Sequence, residues 1–218
     1  MSIEDVRKYI NSVRRDFASN ALDESSMKAD PFEQFASWMD EAVDSQIMDP
    51  YAMCVSTVGK DGKPSSRIVY LRDVTEGGFV FYTNYRSHKG TDIGTESSVA
   101  LNWHWTELER QIRVEGTAIK ASTELSDAYW AARPRESQIS ACLSEQSKEV
   151  ESREALESRK AEIISQFEGH DIPRPAHWGG YAVVPSRVEF WQGRPSRLHD
   201  RLVFVKEDSD WKVIRLNP

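Results

Sequence analysis

The chain has 218 residues, 39% of them hydrophobic and 29% charged, with a formal net charge of −7. That length supports a sizeable core in one or two domains, and seven Trp with eight Phe describe a globular chain, not a disordered one. The acidic balance argues against general nucleic-acid binding, and no apolar run approaches the roughly 18–20 residues that cross a bilayer. From the N-terminus, Ile3, Val6, Tyr9, Ile10, Val13 and Phe17 have the spacing of an amphipathic helix over 3–17, short and terminal and so expected to be mobile. The first twenty residues are charged throughout, so no secretory h-region is read there and a cytoplasmic location is expected. Residues 19–30 read as a loop. Asp30, Pro31 and Glu33 then supply an N-cap, a first-position proline and a capping-box acid for a helix burying Phe32, Phe35, Trp38, Met39, Ala42 and Val43.

From residue 51 the apolar period changes. YAMCVSTV, KDGK and PSSRIVYLRDV read as a hairpin turned at Asp61-Gly62. GGFVFYTN (77–84), SVALNWHW (98–105) and RQIRVEGTAIKA (110–121) are further strands, with a short helix starting near Ser87. TELSDAYWAAR (123–133) is helical up to Pro134. The charged segment 148–169 is a second helix, closed by Gly169 and anchored by Ile163, Ile164 and Phe167. After the Pro-rich DIPRPAHWGG come the strand YAVVPSRVEFW and the hairpin RLVFVKEDSDWKVIRLNP. About seven strands joined by short turns, with helices set apart from them, predict a mainly β (α+β) antiparallel barrel with peripheral helices. A single domain over 1–218 is expected, with a mobile N-terminal segment of about 1–20.

No GxGxxG turn, Walker loop or GxSxG elbow occurs. Five scattered histidines show no metal-ligand spacing, so no metal site is expected, and Cys54 and Cys142 read as reduced core residues. Arginine clusters stand out instead. Arg67 and Arg72 flank RIVYLR, with side chains on opposite faces of a strand. Arg86, His88 and Lys89 lie at a helix start, where free N–H groups favour an anion. Tyr129 and Arg133 share a helical face, with Ser137 beyond the proline. Arg194, Arg197, Arg201 and His199 crowd beside Phe190 and Trp191. Any one of these is commonly just a solvated charge, and His199 alone reads as a surface-loop histidine. Two phosphate-sized clusters plus the Arg/His loop point to two phosphorylated molecules meeting.

The segments RIVYLR (67–72), FVFYTNYRSHKG (79–90), LERQIRVEG (108–116), RPRESQIS (133–140), EQS (145–147), HWGGYAV (177–183) and, above all, VEFWQGRPSRLHDR (188–201) resemble the pyridoxamine 5′-phosphate oxidase family nearly end to end. The resemblance implies an FMN-binding split barrel working as a homodimer, with FMN across the subunit interface. The implied reaction is oxidation of pyridoxamine 5′-phosphate and pyridoxine 5′-phosphate to pyridoxal 5′-phosphate. Dioxygen is the acceptor, with hydrogen peroxide released and ammonia from the amine, in vitamin B6 biosynthesis and salvage. Carried over by motif, FMN contacts would be Arg67, Ile68, Val69, Tyr70, Leu71, Arg72, Tyr82, Thr83, His88, Lys89, Gln111, Gln146, Ser147, Trp191 and Arg201. The substrate phosphate would fall to Arg72, Tyr129, Arg133 and Ser137, while Arg197, Leu198 and His199 would face the substrate ring, with Arg197 and His199 catalytic. Arg14 and Phe17 would belong to a segment closing over the substrate.

The chain departs from the family pattern at Arg72 (usually Lys), His88 (usually Arg), Phe17 (usually Tyr) and Cys142 (commonly Trp). Arg86 is the candidate to replace the charge missing at His88. Two other classes of function remain open: a related split-barrel flavoenzyme acting on another aromatic, such as a phenazine precursor, and a non-catalytic FMN-, pyridoxal phosphate- or haem-binding protein.

Overall fold

The structure, a computed structural model, describes residues 1–13, 15–18, 21–75 and 77–218. In chain order its elements are α1 (Ile3–Ser12), α2 (Pro31–Asp44), β1 (Ala52–Val58), β2 (Pro64–Tyr70), β3 (Asp73–Thr75), β4 (Gly78–Asn84), α3 (His88–Thr95), β5 (Ser98–Trp105), β6 (Arg110–Lys120), α4 (Thr123–Ala132), α5 (Arg135–Leu143), α6 (Arg153–Gln166), β7 (Trp178–Gln192), β8 (Asp200–Glu207) and β9 (Asp210–Arg215). Among the described residues there are thus nine strands instead of about seven, and no helix is long and apolar enough to cross a membrane. The expected mainly β, antiparallel organisation with peripheral helices is present. The chain forms two compact units, one of Met1–Pro50, His104–Arg113 and Val188–Pro218, the other of Tyr51–Trp103 and Val114–Arg187.

The sheet has the strand order β2-β1-β5-β6-β7-β4-β3. β1 and β2 pair antiparallel from Ala52↔Tyr70 to Val58↔Pro64, around a turn in which Gly62 adopts φ 78, a conformation that glycine alone takes without steric cost. β1 alternates buried and half-buried positions, as a strand with one face in the core does. β4 is buried at all but one position and pairs with β7 from Phe79↔Val183 to Asn84↔Trp178. The predicted run PSSRIVYLRDV is not one strand. It breaks after Tyr70, where the Leu71 N–H donates to Tyr51 (2.9 Å) and the Arg72 N–H to Val80 (2.8 Å), and β3 then pairs with β4.

The helices of the second unit follow their caps. The Ser87 hydroxyl accepts from the Gly90 N–H at the start of α3 (3.2 Å). α4 stops at Arg133, whose extended backbone precedes Pro134. α5, which the sequence reading missed, begins immediately after that proline and buries only Ile139. α6 starts at Arg153, later than expected, because the Ser152 hydroxyl caps it through the Ala155 N–H (3.1 Å). Ile163 and Phe167 pack on a cluster of Trp130, Ile139, Ile172 and Trp178, whereas Ile164 is exposed.

In the first unit, Asp30 caps α2 by accepting from the Phe32 N–H at 2.7 Å. Phe35, Trp38 and Ala42 are buried as predicted, Phe32 and Met39 are half-buried, and Val43 is exposed. Trp38 meets Phe190 edge-on at 5.1 Å, Phe190 meets Phe204 at 5.8 Å, and the Arg110 guanidinium lies 4.3 Å over Trp38. β8 and β9 form the C-terminal hairpin and β8 pairs with β7. α1 is shorter than predicted: Val13 leaves the helix with an extended backbone, and Ile3, Val6, Tyr9 and Ile10 are exposed.

Candidate active site

The second unit holds a cavity of about 940 Å³, one part of whose lining comes from β2, β4, α3 and the Gln146-Ser147 segment. Lys89, in the first turn of α3, is 8% exposed. Its ammonium donates to Thr83 Oγ1 (3.1 Å) and Gln146 Oε1 (3.2 Å), and among the described residues no carboxylate pairs with it. Burial, and secondarily the nearby Arg67 charge, bring its pKa down to about 8. A buried cation held only by neutral oxygens is an incomplete arrangement that an anion would complete. Arg67 is anchored by Thr57 Oγ1 (2.7 Å) and Ser65 Oγ (2.6 Å). The His88 N–H donates to the Ser147 hydroxyl at 3.2 Å. Ser147 itself has φ 73, a left-handed conformation that costs a non-glycine residue about 1 kcal/mol or more and concentrates at functional sites.

Another part of the lining carries three nearly parallel rings. Tyr82 and Tyr129 stack at 3.8 Å and 8°, and Trp178 lies 5.6 Å from Tyr82 at 11°. Burial raises the Tyr82 phenol to about 12, so it stays neutral at any physiological pH. The Arg133 guanidinium sits 4.7 Å over Trp178 and 6.0 Å from Tyr129. One of its terminal nitrogens donates to the Ser137 carbonyl (3.0 Å), while its buried Nε has no hydrogen-bond partner among the described residues. Burial lowers its pKa. This orphaned donor beside Tyr129 and Ser137 fits a second anion. Arg72 lines the same cavity, stacked 5.0 Å from Tyr70. The expectation that Arg67 and Arg72 face opposite ways is therefore corrected: β2 ends between them, and alternation does not carry through the break.

The first unit contains a separate cluster around the RLHDR loop. Ser196 and Arg197 are both left-handed, at φ 57 and 61, so the turn exposes Arg197 and Leu198 through a strained backbone. His199 Nδ1 accepts from the Arg194 N–H (3.1 Å), which leaves the proton of the neutral ring on Nε2. Trp191 lies 4.6 Å from the imidazole, and Phe17 meets His199 edge-on at 5.1 Å and Trp191 at 5.7 Å. Gly193 makes room for this: a Cβ there would stand 2.6 Å from the Phe17 ring. Arg15 pairs with the buried Glu109 at 2.8 Å, holding the segment that carries Phe17. Arg201 is gripped by both oxygens of Glu189 (2.7 and 3.0 Å), which also meets Arg113 at 3.3 Å. Gln111 is half-buried on β6.

Of the predicted residues, Arg67, Ile68, Val69, Tyr70, Arg72, Tyr82, Thr83, His88, Lys89, Tyr129, Arg133, Ser137, Gln146 and Ser147 line the one cavity. Leu71 is buried and outside that lining. Gln111, Phe17, Trp191, Arg197, Leu198, His199 and Arg201 belong to the first unit, and Arg14 lies outside the described residues. Arg86 does not join His88 on the cavity wall: it lines a smaller pocket of about 240 Å³ with Cys142, Lys148 and His177. Cys54 and Cys142 are free and half-buried, and Cys142 packs against the cluster of Trp130, Ile139, Ile172 and Trp178. Sequence reading missed Trp178, Asp92 and Glu189. Trp178 stood in the quoted HWGGYAV, and Asp92 lies one helical turn from His88.

Comparison with known proteins gives the family. Residues 39–167 match the family model described as pyridoxamine 5′-phosphate oxidase, and residues 178–218 match that of the pyridoxine 5′-phosphate oxidase C-terminal dimerisation region. The chain belongs to the pyridoxamine 5′-phosphate oxidase family. It is 51% identical to the pyridoxine/pyridoxamine 5′-phosphate oxidase of Cupriavidus pinatubonensis, over 94% of this chain and 97% of that one. A protein of the same name from Rubrobacter xylanophilus is 49% identical over 99% of both chains. The crystal structure of PhzG from Burkholderia lata 383, in complex with tetrahydrophenazine-1-carboxylic acid, superposes with a TM-score of 0.86 at 28% identity, covering 92% of this chain and 99% of that one. The fold is thus the FMN-binding split barrel.

Proposed function

We propose that the protein is an FMN-dependent oxidase that converts pyridoxamine 5′-phosphate and pyridoxine 5′-phosphate to pyridoxal 5′-phosphate with dioxygen as acceptor. It acts as a homodimer of single split-barrel domains, with FMN at the subunit interface. The observation that carries this reading is one cavity lined by two cationic groups that, among the described residues, are incompletely partnered: a buried lysine without a carboxylate and an arginine with an orphaned Nε. The family membership and the dimerisation region support it.

Bound FMN supplies the two-electron chemistry. Arg67, His88, Lys89 and Ser147 hold its phosphate, and Tyr70, Thr83 and Gln146 frame it. Tyr129, Arg133 and Ser137 hold the substrate phosphate, with Arg72 adding charge, so that binding energy far from the reacting carbon fixes the ring's position. The Nε2–H of His199 donates to the substrate's reacting oxygen or nitrogen, and Arg197 covers the ring. Trp191 and Phe17 pack on His199, and the family resemblance makes Arg201, Trp191 and Gln111 further flavin contacts.

The test is to load the purified protein with FMN and add pyridoxine 5′-phosphate in air. Hydrogen peroxide and pyridoxal 5′-phosphate should form in equal amounts. Neither product from either phosphorylated substrate would refute the reading.

A further inference from the structure

We propose that Trp178 is a positioning residue for the substrate's phosphate: its indole fixes the Arg133 guanidinium, and the chain thereby favours a phosphorylated ring over the same ring without phosphate. The inference rests on the reading above, in which Tyr129, Arg133 and Ser137 hold that phosphate. It starts from how little else fixes Arg133. The residue closes α4 with an extended backbone, and its N–H donates to the Trp130 carbonyl at 3.1 Å. Its guanidinium donates to the Ser137 carbonyl at 3.0 Å, and no carboxylate among the described residues pairs with it. The polar side chains that act on it are the Tyr129 phenol and the Arg72 guanidinium. One carbonyl leaves a long, flexible side chain much of its rotamer freedom. Aromatic rings supply the rest of its surroundings, with Trp178 at 4.7 Å, Trp130 at 5.8 Å and Tyr129 at 6.0 Å. Trp178 is the nearest of the three, and indole attracts a cation more strongly than the other aromatic side chains do.

Trp178 is itself held rigidly. It opens β7 opposite Asn84 of β4, and its N–H donates to the Pro175 carbonyl at 2.9 Å. Its own carbonyl accepts from Arg174 at 2.7 Å, and Arg174 is paired in turn with Asp127 of α4. The indole is buried in the cluster with Ile139 and Ile172, where it meets Trp130 at 4.9 Å and 65°. It also lines the cavity. Its plane is parallel to that of Tyr129 within 7°, and Tyr82 stacks on both. The two side chains assigned to the phosphate from α4, Tyr129 and Arg133, are thus both set against one fixed ring. A core role alone asks only for apolar volume at position 178. Holding a guanidinium asks for a π face there. An aliphatic side chain separates the two roles, because it fills space without attracting the cation.

The experiment uses the FMN-loaded protein and two ligands that differ only in the phosphate, 4-deoxypyridoxine 5′-phosphate and 4-deoxypyridoxine. Neither has an oxidisable group at C4′, so binding is read without turnover. Isothermal titration gives Kd for wild type, Trp178→Phe, Trp178→Leu and Arg133→Met, and for each Trp178 variant combined with Arg133→Met. Trp178→Leu should weaken the phosphorylated ligand about tenfold and change the other by less than about twofold, as suits the loss of a desolvated cation–π contact. Trp178→Phe keeps a smaller ring and should lose about threefold. In the Arg133→Met background either Trp178 variant should change Kd by less than about twofold, because the group that Trp178 positions is gone. Equal losses for the two ligands, or the same loss in the Arg133→Met background, would overturn the inference, since damage to the core depends on neither the phosphate nor Arg133. If Trp178→Leu fails to load FMN, Trp178→Phe decides by the same comparisons. If the unphosphorylated ring binds too weakly to titrate, the cycle with Arg133→Met decides alone. Wild-type protein that binds the phosphorylated ligand no more tightly than the other would overturn the phosphate reading, and this inference with it.

Discussion

Replacing Lys89 by methionine should make the apoprotein more stable and the flavin complex weaker. The pKa of Lys89 falls from 10.5 to about 8 on folding, chiefly because burial penalises the ammonium. At about 1.4 kcal/mol per unit, keeping it charged at pH 7 costs the empty protein at most about 3.4 kcal/mol. The lost hydrogen bonds offset this by about 1 kcal/mol, since Thr83 Oγ1 and Gln146 Oε1 remain bonded to each other at 3.2 Å. The net expectation is a gain of about 2 kcal/mol, measured by urea denaturation of the flavin-free protein at pH 7. Because the folded pKa lies below the unfolded one, the unfolded chain binds more protons between about pH 8 and pH 10.5. Wild-type stability contributed by this group therefore recovers as pH rises through that window, and the variant's advantage should fade with it. FMN affinity should fall by about tenfold to 150-fold, the worth of one charge-assisted hydrogen bond. A variant less stable than wild type at pH 7, with flavin affinity unchanged, would refute the reasoning.

Glu189→Gln should destabilise the protein by about 2–3 kcal/mol in the same denaturation assay, because it withdraws the carboxylate from the bidentate Arg201 and from Arg113; a change below about 0.5 kcal/mol would show that the network is not structural. Arg197→Ala and His199→Ala should each bind FMN at the wild-type stoichiometry and lose about 100-fold or more in kcat. Wild-type rates in both would remove their assigned roles.

The parts of the fold governed by local rules were legible in the sequence. The Asp61-Gly62 hairpin, the Asp30-Pro31 helix start and the Ser87 cap all appear where their chemistry placed them, because each depends on a few adjacent residues. α5 was hidden because RESQISACL buries only Ile139 and so shows no helical period. The break in PSSRIVYLRDV was hidden because it depends on where the Leu71 and Arg72 N–H groups find partners, at Tyr51 and Val80, which no local pattern encodes. α1 shows the converse: the apolar spacing of Ile3, Val6, Tyr9 and Ile10 is real, but those residues are exposed.

The site divides in the same way. The cationic residues announced themselves against an acidic chain. Which of them share a cavity did not, so Arg86, two residues from His88, turned out to line another pocket. The acids beside these residues, Asp92 at 3.5 Å from His88 and Glu189 at 2.7 Å from Arg201, carry no sequence signal of their own, because a carboxylate on a helix or strand is ordinary until its burial is known.

The most direct test of the whole account is an anaerobic visible spectrum of the FMN-loaded protein before and after pyridoxine 5′-phosphate is added. The account predicts bleaching of the flavin band, with its return and the appearance of hydrogen peroxide when air is admitted. A band that stays unchanged while the phosphorylated substrate is bound would contradict it.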